Sequence, residues 1–264
     1  MIAYDPPNKR LALFQREATP DFWDEQWQKE NIHTLVASGK THHFIKRFTK
    51  RYVSTGGKIL EGGCGSGQVV WCLNQWGYDS YGIDYADKTL QAVTDILPDL
   101  QLSVQDVRQT TFPNNFFDAY WSLGVIEHFW EGFDEITQEA HRVLKPGGIL
   151  FLSFPVMSPL RKLKARLGLY QPMQASASRE TFYEFMLDQK LVTQQLAEQG
   201  FALVETYLYD ALKGLKDELP LLHIPLQKLY KSKLFVTRGL RFSLTFLVGR
   251  WTGHMALLVF RKNS

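Results

Sequence analysis

The hydrophobic positions of the chain alternate between short strand-like runs and longer stretches with helical spacing. Strand-like runs predict strands over residues 58–61, 80–84, 101–105, 116–122, 149–154, 201–207 and 254–260. Helical spacing predicts helices over residues 21–53, 67–76, 86–97, 131–144 and 180–199. Strands that alternate with helices in this way predict an α/β fold, a mainly parallel sheet covered by helices on both faces.

Two stretches, 155–179 and 208–252, break this alternation and are predicted to be insertions. We therefore expect one domain over residues 1–264. Its predicted parts are a helical N-terminal cap (1–56), a core in two segments (57–154 and 180–207), two lid insertions (155–179 and 208–252) and a last strand (253–264).

Composition excludes several classes of protein. Of the 264 residues, 45% are apolar and 14% aromatic, and the net charge is only +3, so an intrinsically disordered chain is excluded. No apolar run approaches the ~18 residues that a membrane-spanning helix needs. The first residues lack the basic-then-apolar order of a secretion signal, and two cysteines are too few for a disulfide framework. These features predict a cytoplasmic protein.

Positive charge is concentrated in the last part of the chain. Residues 161–264 contain 16 Lys and Arg against 8 Asp and Glu. The segments 159–170 and 208–252 mix these cations with Leu and Phe, a pattern typical of a lid over an apolar substrate, of contact with an anionic membrane or carrier protein, or of a solvated basic face. A nucleic-acid partner is not expected, because aliphatic rather than stacking aromatic residues separate the cations.

A glycine-rich loop, residues 62–67, lies between the first predicted core strand and the helix after it. Its spacing is not that of a dinucleotide fingerprint, because Gln68 occupies the sixth place counted from Gly63; a Walker loop is excluded because no Gly-Lys-Ser/Thr follows. Asp84 ends the next strand, where a carboxylate can accept hydrogen bonds from a ribose diol. The loop and Asp84 together predict a nucleoside ligand without phosphates.

The loop belongs to a series of motifs that resembles the class I S-adenosylmethionine-dependent methyltransferases. In chain order the matching segments are ILEGGCGSG (59–67), GIDYA (82–86), QDV (105–107), FFDAYWSLGVIEH (116–128), RVLKPGG (142–148) and QGF (199–201). The resemblance covers about residues 57–154 and 180–207. It implies a Rossmann-like, doubly wound, seven-stranded mainly parallel sheet, with S-adenosyl-L-methionine as cofactor and S-adenosyl-L-homocysteine as product.

The resemblance also implies cofactor contacts. At the methionine end, Glu61 would contact the amino group, the carbonyl of Leu123 would lie nearby, and the loop backbone of Gly63, Cys64, Gly65 and Gly67 would face this half of the cofactor. Asp84 would bind the ribose hydroxyls. Tyr85 would pack on the adenine face, and Asp106 with the Val107 N–H would contact the adenine edge. Within this set, Cys64 is also interpreted as a small packed residue.

His128 follows the fourth predicted core strand, where the acceptor cavity should open, and is the candidate general base; a packing or helix-capping role is the alternative. Some relatives bind a divalent ion through a Glu-x-x-Glu-His segment at this place. Here Gly124 replaces the first Glu, and one carboxylate with one histidine is too few for a secure site. The sequence therefore predicts no metal.

The expected function is methyl transfer to an oxygen or nitrogen of an apolar or aromatic small molecule. Two alternatives stay open. One is a catalytically silent module that binds the cofactor and acts through a partner, because methyl transfer needs no fixed catalytic side chain. The other is a methyltransferase whose acceptor is a lipid or is bound to a carrier.

Overall fold

The computed structural model describes residues 1–27, 34, 39, 41–174, 177–219, 223–232 and 247–264. Its strands are β1 Ile2–Asp5, β2 Arg10–Phe14, β3 Lys58–Gly62, β4 Asp79–Asp84, β5 Gln101–Val104, β6 Phe117–Leu123, β7 Leu144–Pro155, β8 Gln171–Pro172, β9 Phe182–Met186, β10 Phe201–Tyr209 and β11 Met255–Lys262. Its helices are α1 Pro20–Trp27, α2 His43–Tyr52, α3 Gln68–Gln75, α4 Asp87–Ile96, α5 Asp134–Val143, α6 Pro159–Arg166, α7 Gln189–Glu198, α8 Ala211–Glu218 and α9 His223–Lys231. Short 3₁₀ turns lie at Ile126–His128 and Arg179–Thr181.

A seven-stranded sheet forms the centre of the fold, in the order β10-β11-β7-β6-β3-β4-β5. Strand β11 runs antiparallel to both of its neighbours, and the pairs among β3, β4, β5, β6 and β7 are parallel. The predicted Rossmann-like, doubly wound and mainly parallel sheet is thus confirmed. Strand order reverses where β3 lies between β6 and β4, which is the switch point at which ligands bind in open α/β sheets.

The strand core is apolar on both faces, as a sheet covered by helices requires. Trp121 of β6 is fully buried and stacks on Phe151 of β7 with ring centroids 4.0 Å apart. The Trp121 indole N–H donates to the hydroxyl of Thr49 in α2. Helix α2 therefore packs on this face of the sheet, and the buried indole N–H has a hydrogen-bond partner.

A second sheet of four strands, in the order β8-β1-β2-β9, corrects two predictions. Residues 2–14 form a β-hairpin, so the N-terminal cap is not wholly helical. Residues 182–186, predicted as the start of a helix over 180–199, form β9, and the helix begins only at Gln189. In both places tertiary pairing decides the structure, because β2 pairs along its length with β9.

The helix predicted over residues 21–53 is found in two parts, α1 and α2; its middle, 28–33, 35–38 and 40, lies outside the described residues. In the second insertion, 220–222 and 233–246 lie outside them too. The described part of 208–252 starts with the end of β10, continues with α8 and α9, and is helical again over 247–252. None of the described helices has the length and apolarity to cross a lipid bilayer.

The Glu139–Arg142 ion pair of α5 is hydrogen-bonded to the loop before β6 and makes stability depend on pH. The Glu139 carboxylate accepts from the backbone N–H and hydroxyl of Thr110 and from Arg142. Burial acts to raise the pKa of Glu139, but these donors outweigh it and lower that pKa below the ordinary 4.5. A lowered carboxyl pKa contributes stability that is present above the unfolded-state value and is lost as pH falls through the folded value.

We therefore expect Glu139→Gln to lower the free energy of unfolding by about 1–3 kcal/mol at pH 7. The difference between variant and wild type should shrink as pH falls below about 4.5, where Glu139 of the unfolded state takes up a proton, and should be lost below the lowered folded-state pKa, where Glu139 is protonated in both states. Urea unfolding followed by circular dichroism at neutral and acid pH measures it. A difference that stays constant across this range would contradict the role of the Glu139 charge.

Candidate active site

A cavity of about 160 Å³ opens at the carboxyl ends of β3, β4 and β6. This is the switch point of the sheet, so the strand order alone leads to an opening there. The residues that line the cavity are Trp23, Trp27, Gly63, Asp84, Tyr85, Asp106, Val107, Arg108, Leu123, Gly124, Val125, His128 and Phe129. The cavity thus combines acidic groups with aromatic and aliphatic walls.

The loop after β3 brings backbone to the cavity without side chains. Gly63 and Gly65 have positive φ angles of 75° and 49°, a region that side chains strongly disfavour. A Cβ on Gly63 would stand 2.5 Å from a methyl of Val125, and one on Gly65 would stand 2.4 Å from the Trp27 ring. Both positions therefore need glycine, for conformation and for space.

Replacing Gly63 with alanine should weaken cofactor binding by at least about tenfold, because the loop must shift away from Val125. Gly56→Ala is the matched control: Gly56 also has a positive φ, of 80°, but a Cβ there meets nothing within 4 Å. Both variants carry a backbone strain of about 1 kcal/mol, and only Gly63→Ala should lose affinity. Titration with S-adenosylhomocysteine compares them; equal affinities would contradict the proposed place of the loop.

Asp84 ends β4 and ties the glycine loop to it. One carboxylate oxygen accepts from the Gly65 N–H at 2.8 Å and the other from the Ala86 N–H at 3.0 Å. Burial raises the pKa of Asp84, and the backbone N–H donors act against that rise. Because a carboxylate has about four acceptor positions, Asp84 retains capacity for donors from the cavity.

Glu61 lies one strand position before the loop and is 3% exposed. Burial raises its pKa well above the ordinary value, while a backbone hydrogen bond from Val70 acts in the other direction. Its Oε2 has no hydrogen-bond partner among the described residues. A buried carboxylate oxygen without a donor is costly, so Glu61 fits a site that receives a donor when a ligand is bound.

Asp106 and Arg108 form an ion pair on the cavity wall. The guanidinium donates to both carboxylate oxygens, at 3.0 Å and 2.6 Å, and the Arg108 N–H donates to the same group. Burial would raise the pKa of Asp106, but Arg108 outweighs it and lowers that pKa. Arg108 also lies over the Phe129 ring, so it fixes the wall as well as the charge.

Helix α1 covers the cavity with two tryptophans, Trp23 and Trp27. Asp24, buried between them in sequence, accepts from the backbone N–H and the hydroxyl of Thr89 in α4. Tyr85 donates its hydroxyl to the Ala18 carbonyl just before the helix. These contacts hold the aromatic face of α1 over the cavity.

His128 stands at the other side of the cavity, in the turn after β6. Its Nδ1 is 2.7 Å from the Tyr183 carbonyl, so Nδ1 carries the proton and Nε2 holds a free lone pair. The ring packs edge-on against Trp23, with centroids 5.0 Å apart. Burial lowers the pKa of His128 to about 4, although the Tyr183 hydrogen bond acts to raise it. The imidazole is therefore neutral near pH 7.

Seven of the predicted residues line this one cavity: Gly63, Asp84, Tyr85, Asp106, Val107, Leu123 and His128. Gly65 adjoins the cavity through Asp84 and Trp27, and Glu61 adjoins it through its place near the end of β3. Cys64 packs with Val70 and Leu90 and is not a wall residue, and Gly67 begins α3 with a φ of 67°. Sequence reasoning missed Arg108, Val125 and Phe129, although each lies within two residues of a predicted position.

Glu184 of β9 was also missed. Its carboxylate lies beside His128 and Glu127, and the nearest ligand atoms of the three residues all lie within 4.8 Å of one another. The reason for predicting no metal, too few ligating groups, therefore does not hold in the folded chain. No signal in the sequence joins Glu184 to residues 127 and 128, because their contact depends on the pairing of β9.

Comparison with known proteins finds relatives of the region that carries most of this cavity. Residues 60–152 match the family model described as "Methyltransferase domain". For this region the match supports the class I S-adenosylmethionine-dependent methyltransferase family predicted from the sequence. A "Probable S-adenosylmethionine-dependent methyltransferase" of Mycolicibacterium smegmatis is 26% identical over 151 residues, covering 57% of this chain and 54% of that protein. A "Ubiquinone biosynthesis O-methyltransferase" of Pseudomonas aeruginosa is 29% identical over 155 residues, covering 56% and 63%.

The matched region thus spans between about half and two thirds of these curated methyltransferases. In structure, a TehB-like methyltransferase from Corynebacterium glutamicum superposes with a TM-score of 0.56 at 17% identity, over 93% of this chain and all of that one. That likeness concerns the fold alone. The predicted fold is confirmed, and residues 60–152 support the predicted methyltransferase domain.

The residues of the cavity fit S-adenosylmethionine. Gly63 and Gly65 leave backbone where a Cβ would collide, the buried Glu61 oxygen lacks a donor, and the Asp84 carboxylate faces the same cavity. An amino group, a ribose diol and an adenine edge supply the complementary donors.

Proposed function

We propose that this chain transfers a methyl group from S-adenosylmethionine to an oxygen or nitrogen of an apolar or aromatic small molecule. The observation that carries the proposal is the composition of one cavity. Asp84, Tyr85, Asp106 and the glycine loop offer the contacts that the cofactor needs. Trp23 and Phe129 form an apolar wall beside the neutral ring of His128.

When bound, the cofactor supplies a sulfonium-activated methyl group. The chain's residues bind and orient: Glu61 accepts from the amino group, Asp84 from the ribose, and Asp106 with Val107 contacts the adenine. Alignment of the acceptor with the methyl–sulfur bond is worth ~7–11 kcal/mol of barrier. The acceptor atom forms the bond to the methyl carbon, the methyl–sulfur bond breaks with its electron pair left on sulfur, and an acceptor proton passes to a base or to water.

We place His128 at the acceptor, where its Nε2 lone pair is directed by the hydrogen bond that Nδ1 makes with Tyr183. Trp23 and Trp27 exclude water from this region. The aromatic rings of these two tryptophans favour a flat or apolar acceptor over a strongly hydrated one. The cytoplasmic location and the absence of a nucleic-acid substrate are parts of the same proposal.

Methyl transfer is tested with a deuterated methyl donor and a panel of phenols, aromatic acids and amines, with the products identified by mass spectrometry. We expect at least one product that carries the label, and its formation should be lost in Asp84→Asn but kept in Asp99→Asn, a neutralisation of an exposed carboxylate. Cofactor binding without any labelled product across the panel would instead favour the catalytically silent module.

A second candidate is a lipid or carrier-bound acceptor, favoured by the exposed end of α6. Leu163, Leu167 and Leu169 are 47%, 64% and 62% exposed, and Arg166 lies among them. Apolar side chains with a neighbouring cation suit an anionic surface. Flotation with vesicles containing phosphatidylserine tests it at low salt; protein that stays in the unbound fraction would exclude membrane docking.

A further inference from the structure

Three side chains from two distant parts of the chain meet beside the cofactor cavity. Glu127 and His128 lie in the 3₁₀ turn after β6, and Glu184 lies in β9, which packs against that turn. One ligand atom from each lies within 4.8 Å of the other two. Two carboxylates and an imidazole are a donor set that divalent transition-metal ions accept.

The Glu127 carboxylate supplies an observation independent of this clustering. Glu127 is 2% exposed, and its Oε2 has no hydrogen-bond partner among the residues that the structure describes. A buried carboxylate oxygen without a donor is unfavourable, and a cation is one of the few groups that compensates for it. The side chain is therefore placed as a ligand is, with an oxygen free inside the fold.

His128 is oriented as metal-ligating histidines are. Its Nδ1–H donates to the Tyr183 carbonyl at 2.7 Å, which fixes the tautomer and leaves the Nε2 lone pair free. Tyr183 directly precedes Glu184, so one strand both orients the imidazole and supplies a carboxylate. Register explains this: Glu184 pairs with Leu13 in the second sheet, which fixes the height of β9 beside the turn.

We propose that Glu127, His128 and Glu184 bind a divalent transition-metal ion at the acceptor side of the cavity. Ligand atoms around such an ion, at bond lengths of about 2.0–2.2 Å, lie roughly 3–4.2 Å apart. The observed spacing of up to 4.8 Å contracts to this range with side-chain rotations. Gly124 of the cavity wall stands where a Glu-x-x-Glu-His segment has its first carboxylate, so this position supplies no side-chain ligand.

The use of this ion rests on the proposed methyl transfer. An acceptor hydroxyl that coordinates the ion has a lowered pKa and loses its proton to water, which leaves a stronger nucleophile. The oxygen then forms the bond to the methyl carbon, and the sulfur keeps the electron pair of the broken bond. In that arrangement His128 positions the acceptor through the ion. The site thus favours an oxygen acceptor that can act as a metal ligand.

Metal binding is measured on the full chain, stripped with a chelator, by calorimetric titration with MnCl₂ and separately with ZnCl₂. Electron paramagnetic resonance of Mn²⁺ counts the bound ions. We expect one ion per chain, with affinity at least about tenfold lower in Glu184→Gln. Glu180→Gln, which neutralises an exposed carboxylate near the same strand, should bind like the wild type. No binding by the wild type, or equal binding by Glu184→Gln, would overturn the site.

A folding control keeps these outcomes separate from misfolding and from the proposed function. Thermal unfolding by circular dichroism should show a metal-dependent rise in Tm for the wild type and for Glu180→Gln. We expect a smaller rise for Glu184→Gln, which should still bind S-adenosylhomocysteine; a Tm rise of wild-type size in Glu184→Gln contradicts the proposal. Metal binding without methyl transfer leaves the site standing and refutes only the activity, whereas transfer without metal binding refutes the site.

Discussion

Asp84→Asn is expected to weaken binding of S-adenosylmethionine and S-adenosylhomocysteine by at least about 100-fold. The carboxylate holds the glycine loop through Gly65 and, in our account, accepts from two ribose hydroxyls. Hydrogen bonds to a charged acceptor contribute about 1.5–3 kcal/mol each, and 1.4 kcal/mol is tenfold in affinity. The amide removes the charge and turns one acceptor into a donor, which faces the donors of the diol.

Tryptophan fluorescence measures this effect, because Trp23 and Trp27 line the cavity. Asp99→Asn controls for the change in net charge, since Asp99 is exposed, and its dissociation constant should stay within about twofold of the wild-type value. Circular dichroism separates lost affinity from lost structure. A folded Asp84→Asn variant with wild-type affinity would show that the ribose lies elsewhere.

Arg161→Met should lower the free energy of unfolding by about 3–5 kcal/mol. We expect this to be the largest loss among single substitutions in the two insertions. Arg161 is 1% exposed and donates to Glu218 at 2.8 Å, to the Val156 carbonyl at 2.8 Å and to Nδ1 of His254 at 2.8 Å. Its removal leaves the Glu218 carboxylate buried with less compensation. The ion pair joins α6 of the first insertion to α8 of the second.

Arg166→Met is the matched control, since Arg166 lies on the same helix and is exposed; we expect a change within about 0.5 kcal/mol. Urea unfolding of the three proteins gives the comparison. The double variant Arg161→Met/Glu218→Gln should lose less unfolding free energy than the sum of the losses in the two single variants, because the two groups interact. Strict additivity would mean that the pair does not couple the insertions.

The strand–loop–helix order of the core could be predicted because local patterns decide it. Sequence spacing is enough to predict the apolar strands β6 and β7. It also places the loop 62–67 and Asp84 at the carboxyl ends of their strands. For the same reason six predicted cofactor residues and the predicted base His128 meet in one cavity. Their individual contacts to the cofactor stay predictions, since they require a bound ligand to observe.

Long-range pairing explains what the sequence did not reveal. The apolar residues Phe182, Phe185 and Met186 fit a helical stripe as well as a strand, and only pairing with β2 makes them β9. The sequence analysis assigns residues 1–56 to a helical cap, although Pro6 and Pro7 separate the two strands of the hairpin β1–β2. A helix over 180–199 does not place Glu184 beside His128, so the sequence alone offers only Glu127 and His128 as candidate metal ligands.

The central claim, that the cavity at the β3–β6 switch point binds S-adenosylmethionine, is tested most directly by calorimetric titration of the wild-type chain with S-adenosylhomocysteine. The account predicts one molecule bound per chain with micromolar affinity, on the order of −8 kcal/mol, and loss of that heat in Asp84→Asn. A folded wild-type chain that shows neither binding heat nor a ligand-dependent shift in Tm would contradict it.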